Sequence, residues 1–377
     1  MPNKFRLIFL LLLGAAGSLQ AQAPPLELSI GDSARKRQIV SVALDAIVDT
    51  VIGDTIAPQM LADRLGDRRL ILIGEQHTDA AYHAVQRRVI ELLLDRERPL
   101  MIGLEMFPVA RQPTLDAWAA GNLSEADFLA TAQWYRTWGY HWGYYRDIFL
   151  LARTHGIPMI ALDERPNTGA DIEPDLDSED HRALLEAFFE TDSPVHGGLS
   201  SEQFESLFVA QTQRDAVMAN NALRALRAEP ERTMVLLAGT GHVIYSLGIV
   251  RQLPASERDA AVTIMPVPVD TEETSAQASV AEFAWGVPDT DYPLFPELGT
   301  LTTAGDAGLQ IIHIENDTPA ARSELAIGDV LTKFNGIALA ERADLSRAIA
   351  PVQWGDAVII ELLRGDEPVN TTVVFRR

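Results

Sequence analysis

The chain has 377 residues, of which 47% are hydrophobic and 22% charged, as expected for a globular protein with a sizeable core. Its 31 basic residues against 53 acidic ones give a formal net charge of −22, which argues against general binding to nucleic-acid backbones. The absence of cysteine excludes disulfides, cysteine metal ligands and lipidation at a cysteine.

The first 23 residues have the pattern of a secretory signal peptide. Lys4 and Arg6 precede an apolar run over 7–16, and the Ala-Gln-Ala sequence at 21–23 matches a small-x-small cleavage site. The apolar run is short for a bilayer span, and no later stretch is long and apolar enough to be one. We therefore expect an exported, soluble and periplasmic protein with no transmembrane span after cleavage.

The most informative stretch is 70–77, where four apolar residues lead into Gly74-Glu75-Gln76-His77. This pattern predicts a short buried strand that ends on a carboxylate and an imidazole. Two later strand ends are similar, one finishing on Glu105 and the other on His242. Ligands bind beyond the carboxyl ends of the strands in open α/β sheets, so we expect these four polar side chains to form one site.

Strands and helices alternate along the following residues. Helical periodicity over 79–98 precedes the strand that ends on Glu105, which predicts a βαβ unit with parallel strands. Another strand covers 158–162, and the acidic, irregular segment 163–200 has the composition of a lid. The alternation over ~200 residues predicts a doubly wound, mostly parallel α/β sheet.

The last part of the chain has a different pattern. Residues 268–300 show a composition shift typical of a linker or sheet edge. Beyond them, short β patterns alternate with helical patterns at 320–325 and 343–349, which predicts a small β-rich domain. We therefore divide the chain into a signal peptide (1–23), an α/β domain (24–295) and a β-rich domain (298–377).

The predicted polar site suits a divalent metal such as Zn, Mn or Fe, because it combines two imidazoles with two carboxylates. A catalytic metal site would keep one position open for water and use a spare carboxylate as general base. The alternative is structural, with the carboxylates paired to arginines and the histidines capping helices.

An aromatic stretch over 134–145 allows three interpretations. It could pack in the core, which suits Trp138 and Trp142, or form an aromatic wall for a flat apolar ligand. It could also supply an axial ligand to haem iron, since a Tyr oxygen or a His nitrogen can bind it. The candidates are Tyr140, His141, Tyr144 and Tyr145, and their spacing does not choose between them.

The Gly74-Glu75-x-His77 motif, followed by His83 and Gln86, resembles the ChaN family of the Tiki/TraB-like superfamily. The likeness covers about 45–290 and continues through 103–107, 138–145, 211–219 and 239–242. It implies a haem-binding protein of iron uptake, with haem as the cofactor, and it adds His83 to the candidate haem contacts.

The wider superfamily implies an alternative function. It uses two G-x-x-H motifs and a glutamate, and it includes metal-dependent proteases. Both motifs occur here, ending on His77 and His242, with Glu105 as the glutamate. In a metal-dependent hydrolase, possibly a peptidase, these three residues would hold the metal and Glu75 would activate water.

The C-terminal region resembles a PDZ domain over about 300–377. Gly308-Leu309-Gln310-Ile311 resembles the carboxylate-binding loop, and the pattern continues through 318–331 and Asn335-Gly336. The resemblance implies capture of a peptide or protein C-terminus by strand addition at Gly308, Leu309, Gln310 and Ile311.

Together these observations predict an exported haem-binding protein of the cell envelope with a PDZ peptide-binding module. The metal-dependent hydrolase is the alternative, and a non-enzymatic adaptor with a vestigial strand-end site is the third hypothesis. Nucleic acid is excluded as a partner, and homodimerisation is left open.

Overall fold

The computed structural model describes residues 25–164, 172–190, 200–290 and 292–377. The predicted signal peptide lies outside this range, as do 165–171 and 191–199 of the predicted lid. No helix within the described range is long and apolar enough to cross a membrane.

The strands are β1 (Ile39–Ala43), β2 (Ile47–Asp49), β3 (Asp54–Ile56), β4 (Leu70–Glu75), β5 (Leu100–Pro108), β6 (Met159–Asp163), β7 (Thr233–Gly239), β8 (Ala261–Val269), β9 (Glu273–Gln277), β10 (Phe283–Pro288), β11 (Thr300–Gly305), β12 (Gly308–Ile314), β13 (Val330–Phe334), β14 (Ile337–Ala338), β15 (Ala357–Arg364) and β16 (Glu367–Val374).

The α-helices are α1 (Pro58–Arg64), α2 (Ala80–Leu94), α3 (Gln112–Ala119), α4 (Glu125–Ala132), α5 (Trp134–Thr137), α6 (Arg146–Thr154), α7 (Glu179–Glu190), α8 (Ser201–Ala228), α9 (Thr240–Val243), α10 (Ile249–Gln252), α11 (Ala255–Arg258) and α12 (Arg342–Ile349). Short 3-10 turns lie at 109–111, 142–144 and 244–246.

The contacts divide the chain into two compact units. The first ends at Ser124 and resumes over Asp147–Thr290, whereas the second combines Glu125–Arg146 with Asp291–Arg377. The division of the sequence at 295–298 stays a prediction. The compact units differ from it because Glu125–Arg146 packs with the C-terminal region.

A mostly parallel sheet forms the centre of the first unit. Its strand order is β3-β2-β10-β8-β4-β7-β5-β6. Neighbours from β10 to β6 are parallel, and β2 pairs antiparallel with β10 and β3. Every residue of β4 and β7 is buried, as expected for parallel strands with both faces covered. The predicted α/β sheet is confirmed.

The sheet places three strand ends side by side. Strand β7 lies between β4 and β5, with Glu75 opposite Gly239 and Leu104 opposite Leu237. Beyond β5 lies β6, whose last residue, Asp163, is opposite Pro108. The polar residues that follow these strands therefore begin at one edge of the sheet.

The segment 268–300 contributes more than a linker. It contains β9, which pairs with β1, and β10, which joins the large sheet beside β8. Gly286 and Pro288 make β10 resemble a loop in sequence. Strand β10 is recognisable only by its pairing with β8 in the folded sheet, and the local sequence pattern does not show that pairing.

The second unit contains an antiparallel sheet of β11, β12, β13, β15 and β16 in that order, with β14 on β13. Its core includes Leu309, Leu331, Phe334 and Ile360. The predicted β-rich C-terminal region is confirmed.

The helical pattern predicted at 320–325 forms turns instead. The Thr318 and Ser323 hydroxyls donate to nearby backbone carbonyls, of Glu315 and Ala320 respectively. Such local side-chain hydrogen bonds compete with a helix, and the segment is too short to overcome them.

Candidate functional site

Glu75 ends β4 and holds His77 in place. Its side chain is fully buried; Oε1 lies 2.6 Å from His77 Nδ1, and Oε2 accepts from Gln86 Nε2 at 2.7 Å. Burial raises the pKa of Glu75, but the His83 and His77 imidazoles and these hydrogen bonds lower it more, so the pKa lies below its usual value. Both oxygens of the carboxylate therefore orient neighbouring side chains.

His83 comes from α2, whose first turn is capped by the Asp79 carboxylate. The His83 side chain is buried, with Nδ1 3.0 Å from Gln86 Oε1 and Nε2 3.2 Å from the His77 carbonyl oxygen. Both ring nitrogens thus lie in the network around Glu75, and binding an iron would break one of these contacts.

Glu105 lies in β5 and receives contacts on both oxygens. Oε2 accepts from the Gly239 amide at 2.7 Å, while Oε1 lies 2.9 Å from Arg214 Nη2 and 3.2 Å from His242 Nε2. Burial raises the pKa of Glu105, but His242 and Arg214, with His77 nearby, hold it well below its usual range. Glu105 is therefore an ionised carboxylate in the folded protein.

His242 lies in α9, directly after β7, between two carboxylates. Its Nδ1 is 2.6 Å from Asp215 Oδ1, and its Nε2 faces Glu105. Burial lowers the pKa of His242, but Glu105 and Asp215 raise it to about 9. The ring is therefore protonated at neutral pH and donates from both nitrogens.

Arg214 links Glu105 to the end of β6. From α8, its Nη2 lies 2.9 Å from Glu105 and 3.2 Å from Asp163 Oδ2. The Arg214 and Asp163 side chains are 28% and 22% exposed, against 3% for Glu105. This ion pair therefore lies at the more open side of the site.

Gly239 leaves space for the two halves of the site to approach each other. A Cβ atom at Gly239 would lie 3.1 Å from His77 Cε1 and 3.5 Å from Glu105 Oε2. The structure therefore brings together Glu75, His77, Glu105 and His242, the four strand-end residues expected from the sequence. Their chemical roles stay predictions.

Sequence reasoning gave no role to Arg214, Asp215 and His181. The first two belong to a motif noted in the sequence, and they are charged residues at helical spacing among buried apolar positions of α8, such as Met218. Charged residues among buried apolar positions of one helix were the sequence feature that could have identified Arg214 and Asp215 as site residues. His181 lies in α7, fully buried, with Nε2 3.8 Å from Asp215 Oδ2. Burial lowers the pKa of His181.

Four candidate haem contacts belong to the second unit, and two of them are buried there. Tyr144 and Tyr145 are 4% and 0% exposed. The Tyr144 hydroxyl accepts from the Phe295 amide at 3.3 Å, and the Tyr145 ring packs edge-on against Trp134 at 5.3 Å. These side chains therefore contribute to packing.

His141 also has structural contacts. Its Nε2 lies 2.9 Å from the Ala350 carbonyl oxygen, and its Nδ1 accepts from the Gly143 amide at 3.0 Å. The ring stacks on Phe295 with a centroid separation of 3.6 Å. Burial lowers the pKa of His141, which favours the neutral ring that these contacts need.

Tyr140 is partly exposed, as is Trp138, whose ring packs edge-on against it at 5.3 Å. The Trp134 indole donates to the Tyr140 carbonyl at 2.7 Å, which fixes the backbone at this position. Arg342 of α12 lies close enough to interact electrostatically with the Tyr140 phenol.

The family model described as "Haem-binding uptake, Tiki superfamily, ChaN" matches residues 61–168 and 163–253, just over half of the chain. The chain belongs to the ChaN family. A PDZ domain model matches residues 296–374. The curated proteins contain no match to this chain.

One solved structure shares the fold of the first unit. A Campylobacter jejuni protein, titled "Cofacial heme binding to ChaN", is 15% identical over 63% of this chain and 95% of that chain, with a TM-score of 0.50. A serine endoprotease from Yersinia pestis is 18% identical over 23% of this chain and 30% of that chain, with a TM-score of 0.20. The likeness to the Campylobacter jejuni protein is one of fold.

The metal that the wider superfamily implies does not fit the arrangement of this ChaN-family site. Across the described ranges, no group of three or more His, Cys, Asp or Glu residues is placed to hold a metal ion. The Glu105 oxygen and the His242 nitrogen that would serve as ligands already contact each other and Arg214. The prediction of Zn, Mn or Fe is therefore not supported.

The predicted peptide-binding residues lie in β12 of the PDZ region. At Leu309 and Gln310 this strand pairs with β11 on one side and β13 on the other. Gly308 and Ile311 also pair with β11, at Gly305 and Thr302. The strand at this edge of the sheet is therefore β11, within the described residues.

Proposed function

We propose that this ChaN-family chain is an exported haem-binding protein that handles haem iron in the cell envelope, with a PDZ module that captures a peptide. Family membership supports haem as the ligand. Bound haem would supply an iron that accepts an axial oxygen or nitrogen ligand from the protein.

The observation that carries this proposal further is the partial exposure of Tyr140 beside Trp138. Tyr144 and Tyr145 are buried, and both nitrogens of His141 are engaged. We therefore propose Tyr140 as the iron ligand and Trp138 as an aromatic contact of the macrocycle.

Arg342 supports this assignment electrostatically. A guanidinium near a phenol favours the ionised phenolate, which is the form that binds ferric iron. Burial lowers the pKa of Arg342, and Tyr140 lies close enough to raise it in part through a charge interaction. We therefore expect Arg342→Ala to weaken haem binding while leaving the iron ligand in place.

Haem titration of the mature chain tests the proposal. We expect saturable binding with a high-spin, oxygen-ligated ferric spectrum, and at least about a tenfold loss of affinity in Tyr140→Phe. Tyr144→Phe is the matched control and should bind within about twofold of wild type. Absence of saturable binding would refute the haem function, whereas unchanged binding in Tyr140→Phe would refute only the ligand assignment.

For the PDZ module we propose that a peptide adds as a strand at the edge of β11, because β12 already has neighbours on both sides. Fluorescent peptides from a C-terminal library should bind with a free terminal carboxylate and lose affinity when that carboxylate is amidated. Equal binding of both forms would contradict terminal capture.

Export rests on the sequence of the first 23 residues. Mass spectrometry of the protein purified from the periplasmic fraction should show a mature chain that begins at residue 24. A full-length chain found only in the cytoplasm would contradict export.

Hydrolysis is the second candidate function, and the carboxylate–imidazole pair of Glu75 and His77 favours it. Because Glu75 uses both oxygens to orient neighbours, His77 would act as the general base in this case, instead of Glu75. Cleavage of a casein digest or of p-nitrophenyl esters that disappears in His77→Ala would support this function. Activity that persists in that variant would exclude this site.

A further inference from the structure

Arg214 lies where two of the predicted metal ligands meet. Its Nη2 is 2.9 Å from Glu105 Oε1, and its Nη1 is 3.4 Å from His242 Nε2. We propose that Arg214 is the resident cation of the strand-end site and takes the place of a divalent metal. This proposal does not depend on haem binding at Tyr140.

The guanidinium has the charge and the shape for this role. Glu105 is a buried carboxylate, and a buried charge needs a partner of opposite sign. Asp163, 3.2 Å from the same Arg214 nitrogen, adds a second carboxylate on the more open side. An arginine keeps its charge at every relevant pH and contacts several acceptors in one plane, so it can hold both carboxylates at once.

The surroundings fix this arrangement. The Gly239 amide holds the second oxygen of Glu105 at 2.7 Å, so the carboxylate cannot turn away from Arg214 without losing that bond. On the other side of the ring, Asp215 fixes the Nδ1 atom of His242 at 2.6 Å. Removing Arg214 would therefore leave an oriented carboxylate and an oriented imidazole facing a vacated cation position.

Without Arg214, Glu105 and His242 would be two protein ligands of a metal site whose remaining ligands would come from water. Glu105 and His242, with His77 close to Glu105, are the side-chain types that bind Zn²⁺ and Mn²⁺. Two cations cannot share one position, because the guanidinium already contacts the Glu105 oxygen that a metal would bind and repels a second positive charge. A smaller neutral residue at 214 should therefore create a metal site that the natural chain lacks.

Calorimetric titration with Zn²⁺ and Mn²⁺ tests the proposal on the full mature chain. We expect the wild type and His242→Ala to bind these ions equally weakly. Arg214→Ala should gain one equivalent of Zn²⁺ binding, at least about tenfold tighter, and should lose it again in Arg214→Ala with His242→Ala. Arg214→Lys keeps a positive charge and should gain no binding.

Two results would overturn the proposal. One is a tight Zn²⁺ or Mn²⁺ site in the wild type that disappears in His242→Ala. The other is unchanged metal binding in both Arg214→Ala and Arg214→Gln when circular dichroism shows them folded. If neither variant folds, the comparison of wild type with His242→Ala decides the question. Metal binding that depends on His242 would contradict a resident guanidinium, whereas the absence of such binding would support one.

Discussion

His77 and His242 are held through the same ring atom. In each imidazole Nδ1 lies 2.6 Å from a buried carboxylate oxygen, which leaves Nε2 as the atom that faces other groups. In metal and acid–base sites alike, such a carboxylate fixes the orientation of the ring. The two G-x-x-H motifs therefore produce two matched imidazoles at neighbouring strand ends.

The first prediction concerns stability against pH. Because His242 has a folded pKa of about 9 against an ordinary value of 6.5, its contribution to stability is fully present below about pH 6.5 and is lost as the pH rises through 9. The shift corresponds to about 3 kcal/mol. Urea unfolding at pH 6 and pH 9 should show this loss, and His242→Gln should remove most of the difference.

The second prediction concerns the cause of that shift. Asp215→Asn removes a negative charge 2.6 Å from the His242 ring, so the pKa of His242 should fall by roughly 1 unit or more. An NMR titration of the His242 ring measures this. Asp259→Asn changes an exposed carboxylate and should leave the His242 titration unaltered. An unchanged pKa in Asp215→Asn would show that Glu105 alone charges the ring.

The third prediction compares two glycines two residues apart. A Cβ at Gly239 would crowd His77 at 3.1 Å, whereas a Cβ at Gly241 would meet Phe188 at an ordinary 3.8 Å. Gly239→Ala should therefore cost about 1–3 kcal/mol and displace His77, since overpacking a buried site is destabilising. Gly241→Ala should be close to neutral. Urea unfolding of the two variants provides the comparison, and equal stabilities would contradict the close approach at Gly239.

The fourth prediction addresses the second unit. His141→Ala removes the stack on Phe295 and the contact with the Ala350 carbonyl, so we expect a loss of about 1–3 kcal/mol. His155→Ala is the control because this histidine is exposed. Limited proteolysis should show faster cleavage near residues 125–146 in His141→Ala alone, and equal cleavage rates would refute a structural role.

Local sequence patterns predicted the strands and the motifs that follow them. Strands β4 and β7 are continuous apolar runs, and parallel pairing of such strands brings Glu75 level with Gly239. The partners of His242 were harder to predict. Asp215 and Arg214 lie on a helix that contacts the strand ends only in the folded protein. Periodicity predicts which face of a helix is buried, but it does not predict which residues that face contacts.

The same limit applies to the second unit. The tyrosines of 134–145 are candidate ligands by chemistry alone, yet burial decides which of them contact solvent. Tyr145 is enclosed while Tyr140 is partly exposed, although both belong to one short aromatic run. Tyr144 packs against Phe295, about 150 residues further along the chain, and neither segment by itself predicts this contact.

The composition of the second unit from two distant segments has a practical consequence. Helix α5 packs on α12, and Arg136 forms an ion pair with Glu341 at 3.3 Å. A truncation that keeps only the PDZ-matching residues would discard 125–146 and uncover the surface that those residues protect. The PDZ-matching residues alone therefore do not make up the whole compact unit. An excised version would need both segments joined in one polypeptide.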